Sequence, residues 1–146
     1  MKIILVFKTH FDIGFTDLAS NVIDQYAGSM LEQVIETCKG TQKLGKRHFV
    51  WTMPAWPLWH IVNHSEPKLR KELDELIENG QVVWHALPFT SHTDFATPGE
   101  YLRGFTYSRL LAERYHKPFP IAAKMTDVPG HTKAIIPHLA ENGIEF

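Results

Sequence analysis

Cysteine is nearly missing: Cys38 stands alone among 146 residues. One thiol cannot close an internal disulfide, so the fold must hold by burial and hydrogen bonding, and a reducing, cytoplasmic setting is expected. Long apolar runs are missing as well. No stretch reaches the ~20 residues of a membrane helix. The run Ile3 to Phe7 is shorter than the roughly 7–15-residue core of a signal peptide, and no small-residue cleavage site follows it. Charge of one sign is the third absence. Fifteen Lys and Arg face sixteen Asp and Glu, for a net charge of −1. Without a basic or acidic block, nothing favours nucleic acid or an anionic membrane as partner.

What remains is ordinary globular composition, 44% hydrophobic and 21% charged, enough for one core and one domain. Nine histidines are many for this length, and they invite a search for a metal site.

The apolar pattern alternates between two periods. Ile3 to Lys8 is short, β-branched and continuously apolar, which predicts a buried strand. Leu18, Val22, Tyr26, Met30, Val34, Ile35 and Cys38 recur at three- and four-residue spacing. That spacing predicts one helix over 17–39, with Asp17 as N-cap and Gly40 ending it. His48 to Thr52 is a second strand, and Pro54 and Pro57 break the stretch behind it. Pro67 opens a helix that runs to Asn79, with Gly80 at its end. Gln81 to Ala86 is a third strand, 87–98 a long loop, 99–116 a helix and 121–125 a fourth strand. A turn at 127–132 leads to a short helix with Pro137 in its first turn.

Strands alternating with helices predict right-handed β-α-β units on a parallel sheet, the first part of a barrel-like β/α domain. Gly143 reads as a helix end and Ile144-Glu145-Phe146 as the start of a strand. The expectation is therefore that residues 1–146 are the N-terminal part of a larger catalytic domain. In such folds the chemistry sits on the loops that follow the strands.

His10 and Asp12 lie where the first strand ends. In extended chain, residues i and i+2 point to one side, so an imidazole and a carboxylate can converge, a donor pair that suits zinc. Gly14 allows a tight turn beneath them. The same pair is also explained by a strand-end histidine bonded to a helix-capping carboxylate. Asp127 follows the fourth strand, before the fixed turn Pro129-Gly130 and His131. A carboxylate there needs a partner if it is buried. A metal shared with His10 and Asp12 would be one, and an Asx-turn closing the loop is the simpler reading. His85, His92 and Asp94 lie in or after the third strand. His85 fits a core histidine or a ligand-facing group, and His92 and Asp94 fit the lining of a loop beside a pocket. Trp51 is expected in the core, while Trp56 and Trp59 offer aromatic faces of the kind that stack on sugars. His48, His60, His64, His116 and His138 read as surface or capping residues.

Two motifs together resemble a known family. H-F-D-I-G-F at residues 10–15 and D-V-P-G-H-T at 127–132 are similar to the motifs of glycoside hydrolase family 38, the α-mannosidases. The family's first motif continues with Trp where this chain has Phe15, and its second reads D-P-F-G-H-S. The resemblance implies a barrel-like catalytic domain with Zn2+ held by His10, Asp12 and Asp127. It also implies that Asp127 is the catalytic nucleophile of retaining hydrolysis of α-mannosides or related glycans. The family's fourth ligand, a histidine, and its general acid lie further along than residue 146. Phe15, Trp56, His85, His92 and His131 are the expected substrate contacts. Two other functions fit the same residues: a metal-dependent carbohydrate deacetylase on a similar barrel, and a sugar-binding domain without catalysis.

Overall fold

The computed structural model describes every residue except 2, 4, 46 and 47. The chain forms a mixed α/β fold that divides into two compact units, residues 1–53 with 60–83 and residues 54–59 with 84–146.

In unit 1 three short strands, β1 (Phe7–Lys8), β2 (Trp51–Met53) and β3 (Val82–Trp84), make a parallel sheet in the order β1-β2-β3, with β3 reaching the division at Trp84. Phe7 pairs with Trp51 and Lys8 with Thr52. The Thr9 amide extends that ladder to the Thr52 carbonyl at 3.1 Å, and the Trp51 amide reaches the Gln81 carbonyl at 2.8 Å. The strand order follows the chain. The helices of this unit are α1 (Ala19–Ala27), α2 (Ser29–Thr41) and α4 (Pro67–Glu78). They bury Val22, Tyr26, Leu31, Val34, Ile35, Cys38, Leu73, Leu76 and Ile77.

The structure corrects several expectations. The strand predicted at Ile3–Lys8 is two residues long and not buried: Leu5 is 77% exposed, Val6 66% and Phe7 48%, and Ile4 lies outside the described residues. β1 is an edge strand, and its apolar residues lack the cover that a central parallel strand has on both faces. The helix predicted over 17–39 is two helices. Gly28 separates them with φ −111° and ψ −103°, and a Cβ there would stand 3.1 Å from the Asp24 carbonyl oxygen. Asp17 is not the N-cap. Leu18 holds that place, and the Asp17 carboxylate accepts from the Leu18 amide at 2.7 Å and from the Asn21 side chain at 3.0 Å. Gly40 falls inside α2. Pro54 and Pro57 do not break the chain after β2. They stand before and in the first turn of α3 (Ala55–His64), where a missing amide costs nothing, and Leu58, Ile61 and Val62 are fully buried along it.

α3 is shared between the units, Ala55 to Trp59 in unit 2 and His60 to His64 in unit 1. Unit 2 is otherwise built from α5 (Pro98–Arg114) and α6 (Ile135–Glu141) around Ala86, Leu87, Tyr101, Phe105 and Ile135. A reciprocal cap starts α5. The Thr97 side chain accepts from the Glu100 amide, and the Glu100 carboxylate accepts from the Thr97 amide at 2.8 Å, which holds the Glu100 carboxyl below its ordinary range. The strand expected at 121–125 is not assigned as one, yet its backbone bonds on two sides. The Ala86 amide donates to Ala122 at 2.8 Å, the Ala123 amide to Phe146 at 2.7 Å and the Glu145 amide to Ile121 at 2.8 Å. Among the described residues no helix is long and apolar enough to cross a membrane.

Candidate active site

The expected site residues fall on both units: His10, Asp12 and Phe15 on unit 1, Trp56, His85, His92, Asp127 and His131 on unit 2.

In unit 1 the chain leaves β1 extended, and burial alternates as extended chain requires: His10 exposed, Phe11 9% exposed, Asp12 half-buried. Phe11 is the anchor. Its ring meets Tyr26 of α1 edge-on, with centres 4.9 Å apart at 90°, and the Tyr26 hydroxyl donates to the His10 carbonyl at 2.9 Å. Burial first, and the Asp12 carboxylate second, raise the Tyr26 phenol above its ordinary pKa, so it stays a protonated donor at neutral pH. Gly14 follows with φ +79°, a left-handed backbone that glycine adopts without steric cost. Residues 14–17 bend there, leaving Phe15 88% exposed at the turn.

In unit 2 Asp127 is exposed and holds φ +70°. That conformation is uncommon outside glycine, but Asp and Asn tolerate it. The turn it opens is tied to the loop after β3 by two threonines that the sequence did not single out. Thr90 Oγ1 accepts from the Thr126 amide at 3.1 Å. Thr93 Oγ1 accepts from the Thr132 amide at 3.0 Å and lies 3.3 Å from His131 Nδ1. Thr93 is 4% exposed, and its bonds to the turn are partly buried. The loop and the Asp127–Thr132 turn are one hydrogen-bonded assembly, and His131, half-buried, belongs to it.

The other expected contacts are scattered. His85 is 6% exposed, just past β3. His92 is exposed, its ring centre 5.9 Å from that of Phe95. Trp56 is half-buried and stands edge-on to Phe89, with centres 6.2 Å apart at 81°. Cys38 is fully buried, and burial pushes its thiol up to about 11, which leaves it no thiolate for nucleophilic work near neutral pH.

In kind, the donors His10, Asp12 and Asp127 fit zinc: an imidazole and two carboxylates, none of them in the core. In position, no group of three or more His, Cys, Asp or Glu side chains able to hold a metal is gathered among the described residues. Comparison of the chain with protein-family models and with curated proteins returns no match.

Proposed function

We propose that this protein is the N-terminal part of a zinc-dependent, retaining glycoside hydrolase of the α-mannosidase type, with Asp127 as nucleophile. The observation that carries the reading is the setting of Asp127. Asp127 is exposed on a left-handed turn that Thr90 and Thr93 clamp from the neighbouring loop. A nucleophile needs that combination of access and fixed placement. The D-V-P-G-H-T and H-F-D-I-G-F motifs supply the rest of the argument.

A β/α barrel is the proposed architecture. Sheet order that follows the chain supports it, as do the backbone bonds from Ala86 to 122 and from 121–123 to 145–146. Phe7 on the edge strand and Leu5 and Val6 just before it are exposed, apolar surface that an open sheet leaves bare and a closed barrel buries.

His10, Asp12 and Asp127 would hold the zinc, which when bound holds and polarises sugar hydroxyls. The protein's own steps follow from its side chains. Asp127 attacks the anomeric carbon from one face, and the bond to the leaving oxygen breaks as a second carboxyl group in its acid form, about 5–5.5 Å away in retaining enzymes, gives that oxygen its proton. Water then releases the sugar, so the product keeps the anomeric configuration of the substrate. His131, bonded to Thr93, orients the turn that carries Asp127. Phe15 offers an exposed ring to the apolar side of a sugar.

The test is product stereochemistry. An aryl α-mannoside is incubated with zinc and the longest natural form of the protein, since residues 1–146 alone are expected to be inactive without the general acid, and the reaction is followed by proton NMR. The α-anomer of mannose is expected first. An initial β-anomer, or acetate released from an acetylated sugar with no glycoside cleaved, would overturn the reading.

A further inference from the structure

α3 closes on two histidines one turn apart, His60 and His64. Positions i and i+4 share a helix face, and the structure stacks the two rings, with centres 4.2 Å apart at 15°. Both residues belong to unit 1, His60 half-buried and His64 exposed. Ile61 and Val62 between them are buried, so core packing sets the direction in which the pair faces.

The second histidine is held by its backbone. His64 Nδ1 lies 2.9 Å from the His60 carbonyl oxygen. A carbonyl only accepts, so Nδ1 carries the proton, and Nε2 of the neutral ring keeps its lone pair. Metal-binding histidines are oriented in this way, by a bond from the other ring nitrogen to a carbonyl or carboxylate. Burial first, and the neighbouring His64 second, lower the His60 pKa, against an opposing pull from the Asp24 carboxylate of α1. Two further features favour a cation here. The pair stands in the last turn of α3, where the helix dipole is negative, and the Asp24 carboxylate is within electrostatic reach of His60.

We propose that His60 and His64 chelate one divalent transition-metal ion, at a site separate from His10, Asp12 and Asp127. Two imidazoles across one helical turn are the donors that helical zinc motifs use. Imidazole suits Cu2+, Ni2+ and Zn2+, while Mg2+ and Ca2+ take oxygen donors. His64 keeps its carbonyl bond, and His60 turns about χ2, a soft torsion, until the ring edges converge on the ion. Water fills the remaining positions. Ile61 stands where the hydrolytic form of the motif carries a glutamate base, so the site binds a metal and supplies no base of its own.

The test uses Cu2+ alone, the strongest binder of the series. It is titrated calorimetrically into the longest natural form of the protein carrying Asp12→Ala and Asp127→Asn, which removes the proposed zinc centre. One tight equivalent is expected. His60→Gln and His64→Gln, added singly, are each expected to weaken it about tenfold or more, since even an outer partner of a ligand costs that much. The two together should cost little beyond either one, because a chelate fails when one arm is lost. Cu2+ is paramagnetic, so NMR gives a second reading with both histidines in place: their ring signals are expected to broaden before those of other histidines. No tight equivalent, or other histidines broadening first, overturns the proposal. A merely capping His64 predicts a lower melting temperature in His64→Gln with Cu2+ binding unchanged, and that result overturns it too. Failure of zinc binding at His10, Asp12 and Asp127 would leave this site standing, because the two share no residue.

Discussion

Asp127→Asn in the active enzyme is expected to cut turnover by roughly 10³-fold or more while leaving the fold intact, the scale at which removal of a catalytic nucleophile registers. Asn is the informative replacement. It keeps the size of the side chain and, like Asp, tolerates the φ of +70° found here. Alanine at the same position would add backbone strain of about 1–2 kcal/mol and confuse the result. Asn cannot form the glycosyl ester that carries retention, so kcat and kcat/KM should fall together. Circular dichroism and the melting temperature should match wild type, because Thr90 and Thr93 hold the turn from the neighbouring loop. A variant that keeps most of its turnover would remove the nucleophile role.

Phe105→Ala is expected to destabilise by about 3–5 kcal/mol, the cost of emptying a large aromatic site in a packed core. Phe105 is fully buried. Its ring meets Tyr101 on one side and Phe119 on another, with centres 5.8 and 6.1 Å away, so the hole has walls that cannot all collapse into it. Against a typical stability of about 5–15 kcal/mol this is a large share. Urea unfolding of wild type and variant measures it directly. Phe95→Ala is the control: that ring is 87% exposed, and surface changes of this kind usually stay within ~0.5 kcal/mol. A loss under about 1 kcal/mol at Phe105 would contradict the packing described for unit 2.

The parts of this structure that the sequence revealed are those fixed by near neighbours. Pro67 stands at the start of α4, and Gly80 follows α4 with φ +79°, as local helix rules require. The alternation at His10, Phe11 and Asp12 was legible because a period of two is a local property. The failures have equally specific causes. The apolar period runs through Gly28 unbroken, so the sequence offered no sign that the backbone turns away from helical angles there. The prolines before and within α3 looked like breakers because their positions within the first turn depend on where the helix starts. β1 looked buried because five apolar residues in a row describe a covered strand, whereas cover is a matter of what packs on it.

In the candidate site the illegible residues are the threonines. Thr90 meets Thr126 across 36 positions, and Thr93 meets His131 and Thr132 across 38 and 39. Nothing about a threonine in a polar loop marks it for such a partner. Tyr101 is similar: a tyrosine within the predicted helix over 99–116 carries no mark that its hydroxyl is buried without a partner among the described residues.

The central claim is that His10, Asp12 and Asp127 make a metal centre, and metal content tests it most directly. The longest natural form of the protein is purified with zinc supplied, dialysed and assayed by elemental analysis, wild type beside Asp12→Ala. About one zinc per chain in wild type, lost in the variant, is the predicted result for a site built on these donors. Wild-type protein that holds no zinc after being offered it would contradict the account.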